Sequence, residues 1–140
     1  ALFFFFFASQ PNAESADDGM VLCDVFIAAV CRCVPPDNKP SRDEVANCLP
    51  WLAAEMSVLS EVQLIVALGK IALDGLLSLP DFGGLPKKDF PFGHGSFYET
   101  PAGLPSILCS YHPSLQNTQT GRLTVDMFDQ IWQRAKSSLR

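Results

Sequence analysis

Beyond an apolar run the chain reads Tyr111-His112-Pro113-Ser114-Leu115-Gln116-Asn117-Thr118-Gln119-Thr120-Gly121-Arg122-Leu123. An imidazole followed by a proline turn and a series of small hydrogen-bonding side chains can offer donors to a planar heterocycle and to a phosphate. The same residues also spell a polar turn leading into a helix, and a single histidine does not choose between the two. The second chemical grouping is sulfur. Cys23, Cys31, Cys33, Cys48 and Cys109 make an odd set without the spacing of a small secreted domain, which suits a reducing, intracellular setting or metal ligation. Cys31-Arg32-Cys33 has the look of a metal pair, yet on a strand Cys31 turns away from its neighbour and reads as core.

Elements must hold these groups in place. Val25 to Val30, within Val21 to Arg32, is a short apolar, partly β-branched run and predicts a buried strand. Cys33 to Pro40 is a loop, because three prolines remove donors and fix φ. Ser41-Arg42-Asp43-Glu44 is a capping box that starts a helix. Val45, Cys48, Leu49, Leu52, Ala53 and Met56 form the buried stripe of that helix, with Pro50 expected to kink or pause it. Gln63 to Leu68 predicts a second strand, ended by Gly69, and a helix over about Lys70 to Leu79 follows. Pro80 to Gly95 is a Gly/Pro-rich loop carrying Phe82, Phe90 and Phe92. Ser106 to Tyr111 predicts a third strand, and Thr124 caps a last amphipathic helix, Val125 to Leu139. Near-continuous apolar strands alternating with helices imply an α/β fold, a short parallel sheet in a three-layer α/β/α arrangement. Ligands in such sheets gather beyond the carboxyl ends of the strands. The loops at Cys33–Pro40, at Gly69–Lys70 and after Tyr111 are therefore the candidates.

The bulk numbers suit one globular domain over residues 1–140, behind an irregular leader at 1–20: 48% of residues are hydrophobic and 18% charged. A net charge of −5 counts against a nucleic-acid partner unless positive charge is local. Arg122, Arg134, Lys136 and Arg140 supply some, with Asp126 and Asp129 among them. Phe3 to Phe7 is too short to cross a bilayer, which takes ~20 apolar residues, and it lacks the basic flank of a signal peptide. With no initiator Met before it, the opening reads as an internal fragment.

The His112 loop resembles the final, His-Pro-Ser motif of the uracil-DNA glycosylase superfamily. Its extension through Gln116-Asn117-Thr118 and Thr120-Gly121-Arg122-Leu123 is similar to the family 5 (type b), iron–sulfur branch. Three further segments match that branch in order. Arg32-Cys33-Val34-Pro35-Pro36-Asp37-Asn38-Lys39-Pro40 resembles its Pro-rich cysteine loop. Val66-Ala67-Leu68-Gly69-Lys70-Ile71-Ala72 is similar to its central strand and turn, and Phe92-Gly93-His94-Gly95 to the loop before its last strand. The likeness runs from about Ala8 to the end of the chain.

The resemblance implies base-excision repair of uracil-containing DNA, with His112 hydrogen-bonding the flipped-out base and stabilising its developing negative charge. Ser114, Gln116, Asn117 and Arg122 would contact phosphate or fill the gap left in the duplex, while His94 is expected to be structural. Cys33 and Cys48 would be two of four ligands to a [4Fe–4S] cluster that staples the fold, and no nucleotide cofactor or magnesium is implied. The first strand, its Gly-rich motif and the other cysteine pair would lie before Ala1, so the 140 residues alone are expected to be inactive. Ala29 falls where related branches carry an Asn that reads uracil, which implies wider base tolerance, deaminated purines included. A monomeric, cytoplasmic protein of bacterial or archaeal type, off the membrane, completes that expectation. Two other readings remain: a non-catalytic DNA-binding remnant of the fold, and a cysteine-based metal or redox protein.

Overall fold

The computed structural model describes residues 1–139, which leaves Arg140 of the local cations outside. These residues form two compact units, Ala28–Pro113 and a second built from Ala1–Ile27 with the stretch from Ser114 onward.

In the unit Ala28–Pro113 a 3-10 turn at Pro36–Asn38 precedes helix α1, Arg42–Val58. Its start is the expected capping box: the Ser41 hydroxyl accepts from the Glu44 N–H at 3.2 Å, and the Glu44 carboxylate accepts from the Ser41 N–H at 2.7 Å. Two of the four donors that a helix start leaves unpaired are thereby satisfied. The pause expected at Pro50 does not occur. Pro50 is exposed, so its ring meets water rather than packed neighbours, and the helix continues at the loss of one backbone bond.

Strands β1, Leu64–Leu68, and β3, Ser106–Ser110, pair in parallel from Leu64↔Ser106 to Leu68↔Ser110. The two-residue β2, Phe97–Tyr98, pairs antiparallel with β3, giving the order β1-β3-β2. The α/β class stands, but the sheet is mixed rather than parallel throughout. The physical reason is length: the link from Tyr98 to Ser106 is too short for the crossover that a parallel neighbour needs. The strand expected at Val25–Val30 does not form either. That run carries no regular structure, and Phe26 and Ile27 are 54% and 63% exposed. A strand exists only through a neighbouring backbone, and among the described residues β1, at the border of the sheet, pairs with β3 alone.

Helix α2, Lys70–Leu76, follows β1 and is shorter than expected. Pro80 holds Leu79 in extended geometry (φ −68°, ψ 149°), which ends the helical run early. Leu52, Ala67, Leu73, Leu76, Leu77, Leu79, Phe82, Ile107 and Cys109 make one core between α1, α2 and the sheet. Each large aliphatic or aromatic side chain buried there contributes about 1.5–3 kcal/mol.

In the second unit, Leu2–Phe5 forms a 3-10 turn and Ala8 bridges to Leu22. Helix α3 spans Leu115–Gln119 and α4 spans Val125–Ser138. Thr124 caps α4, its hydroxyl accepting from the Met127 N–H at 3.2 Å, and α4 buries Ile131, Trp132 and Ala135. Phe7 is buried edge-on to Trp132, ring centroids 5.9 Å apart, with the Lys136 ammonium 4.9 Å from the Phe7 ring centre. Among the described residues no helix is long and apolar enough to cross a membrane.

Candidate functional site

Parallel pairing brings the carboxyl ends of β1 and β3 side by side, and the chain leaves both within hydrogen-bond reach. The Gly69 N–H donates to the Ser110 carbonyl at 2.8 Å. Gly69 sits at φ +96°, ψ 161°, a conformation open in practice only to glycine. A Cβ added there would lie 3.3 Å from the Cβ of His112. The turn after β1 therefore lies directly against the root of the His112 side chain, and His112 itself is exposed.

The other flank is held by His94. The Tyr111 N–H donates to His94 Nδ1 at 3.1 Å, and the two rings stack with centroids 5.0 Å apart and planes 28° from parallel. Phe92 packs at a tilt on Tyr111, 6.2 Å away. The Gly93–Ser96 turn is itself tied to β3, since Gly95 N–H donates to the Cys109 carbonyl and Cys109 N–H to the Ser96 carbonyl, both at 2.8 Å. A Cβ at Gly93 would come within 2.8 Å of the Ser96 hydroxyl. Of the three candidate loops, the Gly69 turn and the loop after Tyr111 thus converge, and the Gly93–Gly95 segment joins them.

The cysteine loop leads into α1, and its start is anchored on that helix. Arg32 pairs with Glu55, and its guanidinium stands 5.8 Å from the centre of the Trp51 ring. Cys33 is exposed, while Cys31 and Cys48 are half-buried. Burial raises the Cys31 thiol first, and Cys48, Glu44 and Cys33 nearby raise it further. Cys31 is thus neither on a strand nor in the core, because its expected strand lacks a partner. Among the described residues no three His, Cys, Asp or Glu side chains gather into a metal-holding group. A [4Fe–4S] cluster takes four thiolates, so the residues described do not by themselves fit one. Cys109, at the heart of the sheet, has its thiol pushed up to about 11 by burial and stays protonated at neutral pH.

In the second unit the Ser114 hydroxyl caps α3 by accepting from the Asn117 N–H at 3.2 Å, and the Asn117 carbonyl accepts from the Leu123 N–H at 3.0 Å. Ser114 and Asn117 belong to one folded turn, on which Gln116 and Arg122 are exposed. Ala29 is exposed as well. Gly69 and His94 are the two residues whose part at the site the sequence did not disclose. Gly69 was visible as a strand terminator in a candidate loop but not as a neighbour of His112, and nothing in the spacing of His94 links it to Tyr111.

A family model described as the uracil DNA glycosylase superfamily matches residues 3–136. A type-5 uracil-DNA glycosylase of Thermus thermophilus is 45% identical over 129 residues, covering 92% of this chain and 57% of that protein. One of Mycobacterium tuberculosis is 43% identical over 91% of the chain and 47% of its own length. A type-4 uracil-DNA glycosylase of Pyrobaculum aerophilum is 37% identical over 65% of the chain and 46% of its own length. The chain spans about half the length of the curated relatives it matches.

Proposed function

Because the chain belongs to the uracil DNA glycosylase superfamily, we propose that it supplies the base-contacting last motif of an enzyme that hydrolyses the N-glycosidic bond of uracil in DNA. In that reaction water adds to the sugar carbon, the bond to the base breaks, and the base departs with the bonding electron pair. A base cannot be reached inside the stack, so it is first swung out of the duplex. His112 then directs a hydrogen bond at the anion forming on the base. Such a donor in a desolvated pocket lowers the barrier by about 3–4 kcal/mol. The observation that carries this reading is the exposed His112 at the carboxyl ends of two parallel strands, with its root against the Gly69 turn.

Ser114, Gln116, Asn117 and Arg122 follow on the next turn and meet the DNA backbone or the vacated space. Cys33 and Cys48 provide two of the four thiolates of a [4Fe–4S] cluster, with the remaining two from outside these 140 residues, and the cluster acts as a staple. The protein works as an intracellular monomer in the bacterial or archaeal manner. By themselves the 140 residues release no base, because they span about half the length of their relatives and, among the described residues, bring no three metal-ligating side chains together.

The test is a chimera in which this chain replaces the matching residues of the Thermus thermophilus relative. The chimera is expected to release uracil from DNA, His112→Ala to slow release by ~10²–10³-fold, and the isolated chain to release none. A folded chimera whose rate is indifferent to His112→Ala overturns the role of His112. Release by the isolated chain overturns the need for further residues.

A further inference from the structure

We propose that His94 is a positioning residue for His112, acting as a fixed acceptor that locks the backbone from which the reactive imidazole springs. The proposal rests on the reading of His112 given above. The His112 loop leaves β3 through one peptide, that of Tyr111, and its N–H is held by a side chain rather than by a strand: it donates to His94 Nδ1 at 3.1 Å. Direction is added by the ring, which stacks on Tyr111 at 5.0 Å and 28°. His94 in turn is not adrift, since the adjoining Gly95 N–H and Ser96 carbonyl both bond across to Cys109 of β3 at 2.8 Å. His94 therefore extends the sheet by one further bond beyond the point where β2 and β3 stop pairing.

On the opposite flank the Gly69 turn leaves no room for a further side chain against the His112 Cβ. Backbone fixed on one side and a side-chain root fenced on the other narrow the directions in which the imidazole can be presented. Preorganisation of this kind is what a donor aimed at a developing charge requires. Because Nδ1 of His94 accepts here, its proton sits on Nε2, and the bond exists only while the ring is neutral.

The substitutions that separate acceptor from ring are His94→Asn, whose side-chain oxygen can take the place of Nδ1, and His94→Phe, which keeps the stack and abolishes the acceptor. Measured by NMR on the 140-residue chain, His94→Phe should raise the exchange rate of the Tyr111 amide by about tenfold, the worth of one hydrogen bond. It should also shift the His112 ring nitrogens. His94→Asn should restore both. An unchanged Tyr111 exchange rate in His94→Phe overturns the proposal. So does faster exchange with unmoved His112 ring signals, which would make the bond merely structural. If His94→Phe fails to fold, His94→Asn decides: a Tyr111 amide or a His112 ring unlike the wild type overturns the proposal. None of these readouts depends on base release, so a failed glycosylase reading shows itself separately, in the His112→Ala chimera.

Discussion

At the scale of single residues, the geometry around His112 turns on an atom that is missing: the side chain Gly69 does not have. A methyl group there would stand 3.3 Å from the His112 Cβ on a backbone at φ +96°. Gly69→Ala is therefore expected to cost about 1–3 kcal/mol through strain and to displace the imidazole as well. Urea denaturation would read the first effect and the His112 ring resonances the second. A variant that loses stability while leaving those resonances in place would separate the two. His112 was legible from sequence only as a candidate, because a polar residue at the end of an apolar run is a local signal. Its neighbours were not, since Gly69 and His94 reach it only through the pairing of β1, β2 and β3, which no local spacing encodes.

Elements divide along the same line. The capping box at Ser41, the strands expected over Gln63–Leu68 and Ser106–Tyr111 (found at Leu64–Leu68 and Ser106–Ser110) and the cap at Thr124 are all present, because each is specified within a few residues. Ser41→Ala is expected to lower the stability of the chain by about 1 kcal/mol, seen as an earlier thermal transition by circular dichroism. Ser41→Thr, which keeps a hydroxyl at the cap, should retain most of that stability, whereas no change on removing the hydroxyl would mean that α1 is held by packing alone. Val25–Val30 shows the opposite case. Its composition is as strand-like as that of Leu64–Leu68, but a ladder needs two rails, and among the described residues none stands beside it. β2 escaped notice for another reason: two residues carry no period. The candidate site was thus half readable, with its candidate imidazole and two of its loops given by local pattern and its bracing supplied by tertiary pairing.

For the molecule as a whole, the buried thiol of Cys109 makes stability fall with rising pH. Burial raises it from an ordinary 9.0 to about 11 in the folded state. Folding therefore gains nothing from this group's ionisation, and the stability it contributes is complete below pH 9 and is lost as pH climbs toward 11. At 1.36 kcal/mol per unit, the full loss is roughly 2–3 kcal/mol. Urea midpoints taken between pH 8 and 11 should fall less steeply for Cys109→Val, which has no proton to lose, and parallel slopes would rule the thiol out as a cause. The net charge of −5 makes any approach to DNA depend on cations gathered locally, and of those Lys136 is already engaged over Phe7. The strand order has a further bearing on endurance. β3 is the middle strand, flanked on both sides, and middle strands are the last to open when a fold breathes. The imidazole hangs from the slowest-opening segment of its sheet, so fraying at either border would reach it late, and its setting would outlast much of the architecture around it.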